Sequence, residues 1–258
     1  MVFLGFLATL GAGVALGLLG GGGSLLVVPA LVYLFRRPPV EATAYSLVVV
    51  GAVSVAGTWM HQARRPIPFR RIGPFVIASV ASAYFVRAAL VPRLPDVLTA
   101  GPVAVRRDLV LMLAFSAFAA AAGLAMLRRG SVPANTGVAP RWVPVVGAAT
   151  GALTATLGTG GGFLVLPALI LLVGLPVEDA IGASLATIAA QALSGAAGAF
   201  SAMPSLDLRF ASLLTATMLI GVAGGVAAAG HVAPERLKRG FGWLVLLVAA
   251  AMTLQELR

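Results

Sequence analysis

Runs of apolar residues recur from one end of this 258-residue chain to the other, divided by short loops that hold nearly all of its charge. A hydrocarbon layer about 30 Å thick takes roughly 20 helical residues to cross, and most of the runs have about that length. Lipid offers no partner to a bare peptide group, so such a chain is restricted to helices or a closed barrel. Barrel strands alternate in polarity over about ten residues, whereas runs such as Leu109 to Leu127 or Phe241 to Leu254 do not alternate. The expected fold is an all-α polytopic membrane protein whose first partner is the lipid bilayer. Composition agrees, with 60% of residues hydrophobic and 10% charged, against roughly 45–50% and about 25% in soluble domains.

The net charge of +10 would point to nucleic acid in a soluble protein. In this chain the Arg36-Arg37, Arg64-Arg65, Arg70-Arg71, Arg106-Arg107 and Arg128-Arg129 pairs and the Arg236, Lys238, Arg239 cluster all border apolar runs. Snorkelling and membrane orientation account for them there, so no nucleic-acid partner is expected. The absence of Cys removes disulfides, thiolate metal sites and Cys nucleophiles. The first charge is Arg36, so the start lacks the basic region of a cleaved signal peptide and the opening segment is expected to be retained.

The apolar segments fall near 3–19, 25–35, 41–61, 72–91 and 108–127, then 142–157, 163–173, 179–200, 209–230 and 240–256. They form two sets of five, and the second member of each set is too short to span the core. Gly20-Gly21-Gly22-Gly23-Ser24-Leu25-Leu26-Val27-Val28-Pro29 aligns without a gap on Gly158-Thr159-Gly160-Gly161-Gly162-Phe163-Leu164-Val165-Leu166-Pro167. Pro39-Val40-Glu41 then matches Pro176-Val177-Glu178, Ser46 matches Ser184 after a one-residue gap, and Gly57 falls on Gly195. We read an internal duplication, with a first repeat over 1–130, a linking loop over 131–141 and a second repeat over 142–258. Each repeat is expected to hold a Gly-broken re-entrant or short helix pair followed by three long helices. If each pair returns to its own side, the halves are inverted. That arrangement places 10 of the 18 basic residues in the cytoplasm, at 62–71, 128–141 and 231–240, against 9 for a parallel one. Inverted repeats with broken helices recur in secondary transporters, and inversion is the arrangement expected here.

Four successive glycines cannot hold a regular helix, since each costs up to about 1 kcal/mol relative to Ala. Irregular backbone at membrane depth persists only where protein or a watery cavity receives it. With no side chains in the way, the amides of Gly21, Gly22, Gly23, Ser24 and Leu25, and of Thr159, Gly160, Gly161, Gly162 and Phe163, are candidates to face a solute. A helix starting there adds its positive dipole end, which makes an anion receptor without formal charge. Pro29 and Pro167 either sit within a helix and free a carbonyl four residues earlier, or start the helix after an extended stretch. The structural alternative for the glycines is close helix packing, the reading preferred for Gly13 with Gly17, Gly147 with Gly151 and Gly221 with Gly225.

Ser46 and Ser184 could donate to an anion or bond to their own helix. Tyr45, Gln191, Thr187 and Trp59 are polar or amphipathic groups on helices expected to line the centre. Glu41 and Glu178 suit a helix N-terminal dipole, with proton coupling as the alternative. Arg87 is expected to snorkel and His61 to be interfacial. No segment carries an Asp, Glu or Lys clearly at its middle, which argues against a cation pump. There is no G-x-x-x-x-G-K-[ST] or G-x-S-x-G motif and no metal-binding His pair, so neither an enzyme nor a cofactor or metal site is expected.

The doubled Gly…Pro…Ser pattern, Gly17 to Pro29 with Ala44-Tyr45-Ser46 and Gly158 to Pro167 with Gly182-Ala183-Ser184, resembles the sulfite exporter TauE/SafE family. The likeness covers essentially the whole chain, including Pro234-Glu235-Arg236-Leu237-Lys238-Arg239. It implies a multi-pass permease of the cell inner membrane, with seven or eight helices, that moves sulfite, sulfonates, sulfoacetate or related anions. The 62–71 and 92–107 loops depart from the family pattern. The reading is thus a secondary transporter of small anions, with a passive anion channel or a non-transporting scaffold subunit as alternatives. Coupling to a proton or another ion, and assembly as a homodimer, are left open by the residues.

Overall fold

The computed structural model describes residues 2–86, 97–100, 103–106, 117, 120–128, 139–156, 162–202 and 207–256. Ten helices are described. They are α1 (Val2–Leu19), α2 (Ser24–Pro29, continuing as a π-turn through Ala30–Leu34), α3 (Pro39–Arg64), α4 (Phe69–Phe85) and α5 (120–128). These are followed by α6 (Val143–Thr156, led in by a 3₁₀ turn at Pro140–Trp142), α7 (Gly162–Pro167, with a π-turn over Ala168–Leu172), α8 (Val177–Ala202), α9 (Leu208–Ala229) and α10 (Pro234–Glu256). The described body is all-helical, as expected, with one short addition. Val97–Ala100 and Val103–Arg106 form an antiparallel two-stranded hairpin inside the Pro- and Arg-rich loop. Their β-branched residues favour extended backbone.

Two described helices, Glu41–Arg64 and Leu208–Ala229, are long and apolar enough to cross a membrane. Many large apolar side chains point outward, among them Phe3, Ile77, Leu213, Ile220 and Leu247. A soluble monomer rarely shows so much exposed apolar surface, and lipid is the solvent that removes its cost. Trp59 and Trp142 are also exposed, near the ends of α3 and α6 that adjoin Arg-bearing loops, where an amphipathic ring meets both lipid and water.

Glycine sets the helix contacts. A methyl on Gly13 or Gly17 of α1 would strike the Met218 or Val222 carbonyl of α9, and Gly221 and Gly225 meet α1 in return. Gly147 and Gly151 of α6 press in the same way on Phe75 and Ser79 of α4. These are the close-packing pairs read from the sequence, and in both contacts residue numbers rise together, so the helices run parallel. By contrast, Gly51 of α3 lies against Ala192 of α8 while Gly57 lies against Leu185, which makes α3 and α8 antiparallel. Gly123 of α5 faces Gly242 and Leu246 of α10, and Gly242 faces Leu127, so that pair is antiparallel as well.

The two Gly-Pro elements have one form. Their boundaries differ by a constant 138, from Ser24 to Gly162, Ala30 to Ala168 and Pro39 to Val177. Arg37 N–H donates to Leu31 C=O as Leu175 N–H does to Leu169, and Ala42 to Pro38 as Ala180 to Pro176. This register corrects the gapped alignment. Pro38, not Pro39, answers to Pro176, and Glu41 answers to Asp179. The prolines lie within continuous right-handed helix, with φ −55° at Pro29 and −57° at Pro167. The helix passes through each and then widens, because a proline ring displaces the carbonyl four residues back. The alternative of an extended stretch before the proline is not what forms. A second boundary also moves. The Arg236, Lys238, Arg239 cluster, read as loop, lies in the opening turns of α10, where Leu237 and Phe241 turn inward to the core.

Candidate functional site

The chain ends α1 at Gly20, which adopts φ +65°, a left-handed conformation that glycine alone takes without strain. It then folds back. Gly23 lies against Ala12 and Leu16, and Phe35 packs edge-on to Phe6 with ring centroids 5.2 Å apart. The 11 residues from Ser24 to Leu34 therefore return along the 18 of α1, about 17 Å against about 27 Å, and leave the turn at Gly20–Gly23 inside the molecule.

The starts of α2 and α7 meet there. A methyl on Gly21 would strike the Gly162 carbonyl, and one on Gly162 would stand 2.7 Å from Ser24 Oγ and from Ile188 Cδ1. Gly22 faces Leu244 and Phe241 of α10. Gly21, Gly22, Gly23, Ser24 and Leu25 are all buried. The Ser184 hydroxyl of α8 donates to the Gly20 carbonyl, and Ser24 Oγ donates to the Gly21 carbonyl at 2.8 Å. Ser24 N–H donates to the Gly21 carbonyl and Leu26 N–H to that of Gly23, whereas Gly21, Gly22 and Gly23 donate no backbone hydrogen bond among the described residues. The hydroxyls at this junction are thus committed to carbonyls, and the unspent donors are main-chain amides.

Other candidates lie elsewhere or have other duties. Tyr45, on the second turn of α3, accepts a hydrogen bond from Asp207 N–H at 2.9 Å and meets Phe210 edge-on. Arg37 lies over the rings of Tyr45 and Phe210. Gln191 donates its amide to Ser79 Oγ on α4, and Thr187 Oγ1 donates to its own helix at Ala183. Ser46 is buried at the α3 position matching Ser184. Pro167 is placed as Pro29 is, and Trp59 points outward. Thr159, Gly160, Gly161 and the side chain of Phe163 lie outside the described residues, as does Arg87. Glu41 pairs with Arg37 at 3.7 Å and Glu178 with Arg65 at 4.0 Å, as acids in first helical turns.

Sequence reasoning missed two groups. Ser54, in the middle of α3, is fully buried with no partner for its hydroxyl among the described residues. A cavity at one end of the molecule is lined by His61, Arg64, Arg65, Glu178 and His231. A buried hydroxyl leaves no periodic signal, and the cavity needs four helix ends that are remote in sequence. Among the described residues no three His, Asp or Glu side chains gather as a metal site would require.

Residues 5–252 match the sequence profile of the sulfite exporter TauE/SafE family. The chain belongs to that family. A "Probable membrane transporter protein" of Xylella fastidiosa strain 9a5c is 29% identical over 271 residues, covering 96% of this chain and 95% of the relative. One with the same description from strain Temecula1 is 29% identical over 276 residues, with the same coverage. "Probable membrane transporter protein YdhB" of Bacillus subtilis strain 168 is 26% identical over 190 residues, 72% of this chain and 74% of its own length. No solved structure matches the chain. Membership makes the protein a membrane transporter and not an enzyme, with the bilayer and a small substrate as its partners.

Proposed function

We propose that this family member is a secondary transporter of small anions, foremost sulfite, sulfonates, sulfoacetate and related sulfur oxyanions. It works by alternating access between two inverted repeats, 1–130 and 142–258, joined by 131–141, as a multi-pass protein of the cell inner membrane. The observation that carries the reading is the meeting of the α2 and α7 starts, where Gly21 touches Gly162 and amides without backbone partners among the described residues are enclosed. Two helix N-termini aimed at one small volume favour an anion through their dipoles and N–H groups.

Inversion is supported by direction. A twofold axis that exchanges antiparallel α3 and α8 is perpendicular to both, and therefore lies in the membrane plane when they span it. The parallel contact of α1 with α9 is then repeated as that of α6 with α4. Loops 62–71 and 231–240 come to one end, where His61 and Arg64 share a cavity with His231 and Pro234. A parallel repeat would separate those loops across the membrane. Their basic residues gather as the positive-inside rule expects of a cytoplasmic face.

A thermal-shift panel on the purified protein tests the substrate class. Sulfite, sulfoacetate and other sulfonates are expected to raise Tm in a saturable way, because a ligand that binds only the folded state stabilises it by mass action. Equal Tm values with these anions and with size-matched cations would overturn the reading.

A further inference from the structure

The cavity at the Arg-bearing end has a volume of about 460 Å³ and opens where α3 and α9 finish and α8 and α10 begin. Its two arginines differ. Arg65 is spent on acids, with Nε 2.6 Å from Asp179 Oδ1 and Nη1 4.0 Å from Glu178. Arg64 has no carboxylate within ion-pair distance among the described residues, and its Nη1 donates to the Val226 carbonyl at 2.6 Å. Among the described residues it therefore has no direct carboxylate partner, and it is steadied by the last turns of α9. His231 Nδ1 lies 3.1 Å from the Ala227 carbonyl, so two of the α9 carbonyls that would repel an anion are covered.

We infer that this cavity is a docking site for a small oxyanion, held by the Arg64 guanidinium before it passes to the enclosed Gly21–Gly162 junction. The ligand class rests on the transport reading above. A guanidinium matches an oxyanion with two parallel N–H bonds. A guanidinium without a carboxylate partner at the cavity mouth can hold an anion before it moves deeper.

The test is the rate at which phenylglyoxal modifies each arginine of the purified full chain, followed by peptide mass spectrometry with sulfoacetate as the probe. Arg64 and Arg209 are both exposed, and Arg209 lies at the far end of α9, which makes it the internal control. Saturating sulfoacetate is expected to slow modification of Arg64 by about fivefold or more, as occupancy grows with ligand over Kd, and to leave Arg209 unchanged. An unchanged Arg64 rate, or an equal slowing at both residues, would overturn the site. Transport is measured on the same preparation. Protection without transport would sink the transport reading and leave the site standing, and transport without protection would do the reverse.

Discussion

The hydroxyl of Ser184 donates to the carbonyl of Gly20, so a side chain of α8 holds the turn at which α1 ends. That bond joins residues 164 apart in sequence and ties the buried Gly-rich turn to the helix that packs across from α3. Hydrogen bonds between membrane helices contribute about 0.6 kcal/mol on average. Ser184→Ala is therefore expected to lower thermal stability in detergent slightly, by that order, and to speed hydrogen exchange at Gly21 to Gly23. Unchanged exchange would show that the bond does not hold the turn.

Gly23 and Gly224 separate packing from propensity. A methyl on Gly23 would strike the Ala12 carbonyl and stand 2.6 Å from Leu16 N, whereas one on Gly224 meets nothing within 4 Å. Gly23→Ala should cost roughly 1–3 kcal/mol as overpacking. Gly224→Ala should be neutral or stabilising by up to about 1 kcal/mol. Paired Tm measurements check this, and equal shifts would contradict it.

Arg36 has φ +55° at the position where its counterpart is Gly174, at φ +74°. A left-handed arginine carries strain that glycine avoids, offset in part by glycine's freedom in the unfolded chain. Arg36→Gly is expected to raise stability by about 1 kcal/mol or less, seen as a higher Tm. A lower Tm would mean that Arg36 contributes more through its charge than it costs in its backbone.

The repeated Gly-Pro elements and the packing glycines were legible because backbone demands leave a residue signature. Gly20 marks a left-handed turn, and Gly13, Gly147 and Gly221 mark close helix crossings. The register was misread by one residue at Pro38 and Pro39, since two adjacent prolines give the same local signal and only the hydrogen bonds into Pro38 and Pro176 tell them apart. Gln191, expected from the sequence to lie on a helix that lines the centre, braces α8 to Ser79 of α4, a partner 112 positions away that no local pattern announces. Arg64 looked like any other interfacial arginine, because its lack of an acidic partner among the described residues is a property of the assembled end.

The sidedness that inverted repeats predict is clean to measure, since the chain has no cysteine. Single cysteines at Gln62 and Ala233 should label from one side with an impermeant maleimide, and those at Arg36 and Leu208 from the other. Opposite labelling of Gln62 and Ala233 would contradict inverted repeats.

Counterflow in proteoliposomes addresses transport itself. Labelled sulfoacetate uptake should require the protein, saturate with concentration and accelerate when unlabelled sulfoacetate is loaded inside, because a carrier that alternates between faces returns faster when occupied. Uptake that rises linearly with concentration and ignores the internal anion, or that does not exceed protein-free vesicles, would contradict the account.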